Sequence, residues 1–264
     1  MKKRTAYFMK QLSVRLTMFL VIFILCCKVE AQKSIEKTFE LQGKQKVEMS
    51  FKWPKLIKIY NWDGANIKVK GSVLINNGNH DDSFQLRSKL ESDRLDITSN
   101  ILNIDDIPKR ILIKKDGMSY YFNTDNWNDP EVQKFMNEEG GRNNSYVTSG
   151  VIKEIELEIF VPKGVEVIVN AKYGLVEINE IENQIMVDAK YGGIDMAFGS
   201  FKKQLEAKTR YGEIYSNLPF ELESNRKDFN HDSKWTIVTY GKDSKNATLE
   251  SKYGNVFLRQ KRGS

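Results

Sequence analysis

Four basic residues each precede a Tyr-Gly pair in the last third of this 264-residue chain. The copies are Lys172-Tyr173-Gly174, Lys190-Tyr191-Gly192, Arg210-Tyr211-Gly212 and Lys252-Tyr253-Gly254. If equivalent residues stack, Lys172, Lys190, Arg210 and Lys252 make a row of fixed positive charge. Such a row suits an anionic polymer, an acidic glycan or a lipid headgroup phosphate. A row of cations is also what a solvated strand face carries. Glu166, Asp188, Glu206 and Glu250 stand close enough in sequence to neutralise it, as repelling like charges require. The tyrosines could stack on sugars, but their parity with the apolar positions predicts that they pack inward or at a corner.

A second set lies in the Asn/Asp/Gly-rich segment 103–150, where Tyr120, Tyr121 and Trp127 form a candidate recognition loop. Asp125, Asn126, Asn128 and Asp129 offer hard oxygens there. They lack the spacing and turn glycine of a helix–loop–helix calcium site, so no metal or other cofactor is expected. Catalytic patterns are sparse. The chain has two histidines, His80 and His231, with no nucleophile elbow, zinc-binding His pair or phosphate loop. The neighbouring carboxylates Asp81-Asp82 and Asp105-Asp106 keep a carbohydrate-cleaving enzyme as an alternative reading.

The elements that must position these residues are strands. The repeat glycines are spaced 18, 20 and 42 residues apart, the last being about two periods. A period near 20 with one glycine per copy predicts stacked β coils. Alternation places Val167, Val169 and Ala171 on one face, as it does Ile185, Val187 and Ala189, and Leu205, Ala207 and Thr209. The basic residues fall on the other face. Gly174, Gly192, Gly212 and Gly254 are read as structural turns, placed where φ is positive or the backbones approach closely. The long gap is read as holding one altered coil around Trp235 to Gly241, with a protruding turn at 225–233.

Upstream, alternation predicts strands near 46–51, 56–60, 67–73, 84–87, 94–98 and 152–161. The Asp129-Pro130-Glu131 start predicts a short helix over 130–138. The predicted fold is all-β: a parallel β-helix-like solenoid of about 20-residue coils at 151–264. An N-terminal strand region or cap at 32–102 and the insertion 103–150 precede it.

Residues 1–31 read as an export signal: a basic start, an apolar stretch at 16–27, and Val29-Glu30-Ala31 as a cleavage site before Gln32. They hold six of the 41 basic residues and one of the 35 acidic ones, so their removal takes the net charge from +6 to about +1. The basicity therefore gives no argument for nucleic acid as a partner. Both cysteines leave with the signal, and no apolar run remains to span a membrane. The expected location is the periplasm or the outer cell surface.

Val161-Pro162-Lys163-Gly164, the repeated Tyr-Gly-x-Val/Ile-x-Ile/Leu turns, Asn61-Trp62-Asp63-Gly64 and the closing stretch Ser251 to Arg259 resemble the putative-adhesin family of exported bacterial β-strand-repeat proteins. The resemblance covers roughly residues 40–100 and 151–260. It implies a solenoid in the cell envelope and carries no catalytic residues to transfer. The chain is accordingly expected to be a noncatalytic adhesin-like or scaffolding protein whose partner is an acidic glycan or an envelope component. A self-associating envelope protein is the further alternative.

Overall fold

A computed structural model describes residues 32–138, 146–199, 204–219, 221–229, 233–241 and 246–260. The expected export signal and His231 lie outside them.

Alternation of apolar and polar residues sets nearly every element. The first strands are β1 (Lys33–Phe39), β2 (Lys46–Phe51), β3 (Leu56–Trp62), β4 (Ile67–Ile75), β5 (Phe84–Leu90) and β6 (Leu95–Ile101). The segment after them holds β7 (Arg110–Lys115), β8 (Met118–Phe122), helix α1 (Pro130–Glu138) and β9 (Tyr146–Gly150). Then come β10 (Lys153–Pro162), β11 (Glu166–Ala171), β12 (Leu175–Asn179), β13 (Ile185–Ala189), β14 (Ile194–Phe198), β15 (Leu205–Thr209) and β16 (Ile214–Ser216). The last four are β17 (Glu223–Phe229), β18 (Ser233–Tyr240), β19 (Ala247–Ser251) and β20 (Val256–Gln260).

Two large sheets result. Sheet A runs β1-β4-β10-β3-β12-β14-β20-β16, and sheet B runs β17-β18-β15-β19-β13-β11-β2-β6-β5. Their inward residues form one core, with Val47, Met49, Val167, Val169, Val187 and Leu249 from sheet B meeting Ile57, Ile59, Ile159, Ile178, Met196 and Leu258 from sheet A. Each such side chain contributes about 1.5–3 kcal/mol by leaving water.

Five times the chain passes from a sheet B strand through a corner to a sheet A strand: β2 to β3, β11 to β12, β13 to β14, β15 to β16 and β19 to β20. Within each sheet these strands pair in parallel. β10 lies between β4 and β3, so the segments expected separately at 32–102 and 151–264 share both sheets.

The stacking order differs from the sequence order. β19 sits between β13 and β15, and β20 sits between β14 and β16. The long gap does not hold a further parallel coil. β17 and β18 form an antiparallel hairpin whose second strand covers the edge of β15. Tyr240, within the altered coil expected around Trp235 to Gly241, pairs with Leu205 at the end of β15 away from its corner. The hairpin covers the edge of β15 and makes β17 the outer strand of sheet B.

The insertion is also more regular than its composition implies. β8, β7 and β9 form an antiparallel sheet, and α1 packs on it through Ile111, Ile113 and Val132. Asp116 and Gly117 both have positive φ between β7 and β8, the pattern of a two-residue hairpin turn. Among the described residues no helix is long and apolar enough to cross a membrane.

Candidate functional site

The corners between sheets A and B place one aromatic ring per coil in a single stack. Trp53 and Tyr173 centroids are 6.1 Å apart, Tyr173 and Tyr191 5.3 Å, Tyr191 and Tyr253 5.1 Å, and Tyr253 and Tyr211 4.9 Å. The planes lie within 18° of parallel. The inward alternation ends one residue pair earlier. Ala171 and Ala189 are buried, whereas Tyr173 is 39% exposed, Tyr191 46%, Tyr253 45% and Tyr211 58%. The tyrosines therefore take the corner position, their faces covered by one another and their outer parts exposed, rather than a place in the core.

Glycine makes the corner possible. A Cβ built on Gly192 would lie 1.5 Å from the carbonyl oxygen of Gly174; on Gly254, 2.3 Å from that of Gly192; and on Gly212, 2.1 Å from that of Gly254. Close approach therefore explains these three, and only Gly174 has a positive φ, of 83°. Buried hydroxyls complete the last two corners. Ser251 Oγ donates to the Gly192 or Gly254 oxygen at 2.9 Å and accepts from Gly254 N at 2.9 Å. Thr209 Oγ1 donates to the Gly254 oxygen at 2.9 Å and accepts from Gly212 N at 3.1 Å.

Each ring carries its own cation. Lys172 Nζ lies 5.4 Å from the Tyr173 centroid, Lys190 5.3 Å from Tyr191, Lys252 5.3 Å from Tyr253, and the Arg210 guanidinium carbon 4.9 Å from Tyr211. Lys52, 4.4 Å from Trp53, is a fifth rung that the sequence reading missed. Its signal was legible as Lys52-Trp53-Pro54 ahead of an alternating run, with tryptophan for tyrosine and proline for glycine. Because the last coil is inserted, Lys190 and Lys252 form the centre of the row and Arg210 lies at one end.

Two of the expected neutralising partners are engaged elsewhere. Glu166 Oε1 is 3.2 Å from Lys46, and Glu250 Oε2 is 2.7 Å from Lys208. Glu206 lies in the next row, opposite Thr248. Asp188 is the carboxylate that feels the row. Burial, followed by the charge of Glu250, pushes its carboxyl above the usual range, while Lys208 and Lys190 act against them. Among the described residues, Lys52, Lys172, Lys190 and Lys252 have no carboxylate within 4.0 Å. A concavity of about 450 Å³ opens beside one end of the strip, lined by Lys52, Lys172 and Lys190 together with Asn170 and Asp188.

The insertion residues do not join this site. Tyr120 packs on Phe135 of α1 at 4.5 Å. Tyr121 lies opposite Leu112 on the other face of β8. Trp127 is exposed in the loop before α1, its carbonyl accepting from Gln133 Nε2 at 2.6 Å. None of the three stacks on a ladder ring among the described residues. The hard oxygens there organise the helix start: Asp129 Oδ1 accepts from Glu131 N at 2.9 Å, and Asn126 Oδ1 accepts from Asn128 N at 3.0 Å.

No protein-family model matches the chain, and no curated protein matches it in sequence. A solved structure described as a putative cell adhesion protein from Clostridium sporogenes aligns over 88% of this chain and 100% of its own, with 11% identity and a TM-score of 0.44. A structure described as a putative adhesin from Bacteroides fragilis aligns over 88% and 99%, with 10% identity and a TM-score of 0.22. The functional reading below rests on the ladder's geometry instead.

Proposed function

We propose that this chain is a noncatalytic, exported, adhesin-like β-solenoid whose cation–aromatic ladder binds an extended anionic ligand of the cell envelope, with an acidic glycan as the best chemical fit. The observation that carries the reading is a row of five cations over stacked rings, of which the four lysines have no carboxylate partner within 4.0 Å among the described residues. Spaced at sheet separation, five rungs extend over roughly 20 Å, four steps of about 4.8 Å. The exposed ring edges give the strip an amphipathic surface for sugars to lie along, and ammonium groups bind their carboxylates or sulfates. Export rests on residues 1–31, whose removal should leave a mature chain beginning at Gln32 by intact mass.

Retention on immobilised polygalacturonate tests the binding role. Lys190→Glu/Lys252→Glu reverses the centre of the strip without touching the core. It should lower affinity at least tenfold at low salt. Wild-type binding should weaken steeply as ionic strength rises, because exposed charges are screened beyond about 8 Å at 0.15 M. Equal retention of the wild type and the double variant at both salt levels would remove the ladder as a binding surface.

A further inference from the structure

Sheet A carries a second outward row, at the opposite ends of the strands that begin at the tyrosine corner. Register aligns Phe160 with Tyr60, Tyr60 with Asn179, Asn179 with Ala197, and Ala197 with Arg259. Beyond Arg259, Asn217 is tied to the end of β20, where its Oδ1 accepts from Gln260 N at 2.8 Å. Ala197 is the small member between larger neighbours. A groove of about 790 Å³ opens along this row.

Its chemistry differs from that of the ladder. Amides dominate, in Asn61, Asn179, Asn217 and Gln260, and Glu180 adds one carboxylate to the lining. The cation Arg259 is already bound to Asp195, at 2.6 Å. Tyr60 stacks on Phe160 at 5.4 Å, giving the groove an aromatic end. Burial pushes the Tyr60 phenol above its usual range. The most pointed feature is Asn179 Nδ2. Asn179 lines the groove, and this nitrogen is buried beside it with no hydrogen-bond partner among the described residues. A buried donor without an acceptor is costly, and native proteins rarely leave one without a purpose.

We infer that this groove is a second binding site, for a neutral, hydroxyl-rich saccharide. When the Asn179 amide turns toward the groove, a sugar hydroxyl supplies the acceptor that its nitrogen lacks. The remaining amides can donate to and accept from adjacent hydroxyls, and the Tyr60 ring offers a face for stacking. A charged polymer fits less well, because the guanidinium is already neutralised. The site is separate in place and chemistry from the ladder, so either can fail without the other.

The test is calorimetric titration of the full chain with cellohexaose, xylohexaose and N-acetylchitohexaose. At least one should bind the wild type. Asn179→Leu, which keeps the volume and removes the amide, should weaken that binding at least tenfold, and Ala197→Phe should fill the groove and abolish it. Gln260→Ala, at an exposed strand end, should weaken it several-fold and serves if Ala197→Phe does not fold. Lys190→Glu/Lys252→Glu should leave hexasaccharide affinity unchanged, and Asn179→Leu should leave polygalacturonate retention unchanged. Absence of binding by all three sugars, or equal affinity in wild type, Asn179→Leu and Gln260→Ala, would overturn the assignment.

Discussion

At the scale of single residues, the ladder depends on what is missing at its corners. Gly192 lacks a positive φ, so its requirement is space: even a methyl group would meet the Gly174 backbone at 1.5 Å. Gly192→Ala should therefore cost roughly 3 kcal/mol, because backbone rather than a flexible side-chain end must move. Gly164 is the contrast. It has φ +80° and nothing within 4 Å of a built Cβ. Gly164→Ala should cost about 1–2 kcal/mol, from backbone strain alone. Denaturant midpoints of the two variants would test this, and equal, small losses would mean that the corners yield easily. The sequence marked the repeat glycines as corners but could not say which of two reasons applied. Both reasons select glycine, and only the stacking of one corner on the next separates them. The same limit left the tyrosines open between two places. Parity with Val169 and Ala171 allowed Tyr173 to pack inward or at a corner, and the end of the strand at Ala171 decides for the corner.

At the scale of elements, the insertion is a small sheet with its own core, attached at a few defined points. Ile104 and Ile107 before it pack on the main core, whereas Ile111 and Ile113 pack on α1. Arg110 pairs with Gly150, so the two ends of the segment lie side by side. Replacing residues 110–150 with a short Gly/Ser linker should leave the main melting transition nearly intact, since Ile104 and Ile107 remain. Loss of cooperative unfolding would show that the main core needs the small sheet. One attachment is ionic: Glu154 of β10 meets Lys114 of β7 at 2.7 Å and Lys55 at 3.7 Å. The Lys114 hydrogen bond leads in holding the Glu154 carboxyl below its ordinary 4.5, with burial opposing and Lys55 assisting. The unfolded chain thus takes up this proton at higher pH than the folded one. The stabilisation is present above about pH 4.5 and fades as pH falls through the depressed folded value. Glu154→Gln should melt below the wild type at pH 7, and the gap should close on acidification. A gap independent of pH would assign the loss to packing. The hairpin was legible in Asp116-Gly117 between alternating runs, but the polar composition of the segment masked it.

At the scale of the whole molecule, the order in which coils stack is the feature least visible in sequence. Alternation and period identify each coil, but parallel coils with the same inward pattern are interchangeable partners. Leu249 and Ser251 suit the register of Val187 and Ala189 as well as that of Ala207 and Thr209, and they pair with both. What breaks the tie is the β17–β18 hairpin, which occupies the far edge of β15 and leaves the last coil the place between β13 and β15. Tyr253 accordingly stacks between Tyr191 and Tyr211, at 5.1 and 4.9 Å. This arrangement makes the C-terminus a keystone. In a sequentially stacked array, removing the last coil trims an end and leaves its neighbours paired. Here a chain ending at residue 245 loses β19 and β20 together. The parallel partner of β15 and that of β16 both disappear, and the inward faces of β13 and β14 lose Leu249, Val256 and Leu258. The truncated chain should retain protease protection over residues 46–199 and lose it over 205–240, with a melting transition that is lower and broader. Unchanged protection of residues 205–240 would mean that β15 closes onto β13 directly and that the inserted coil is not required to hold the far end.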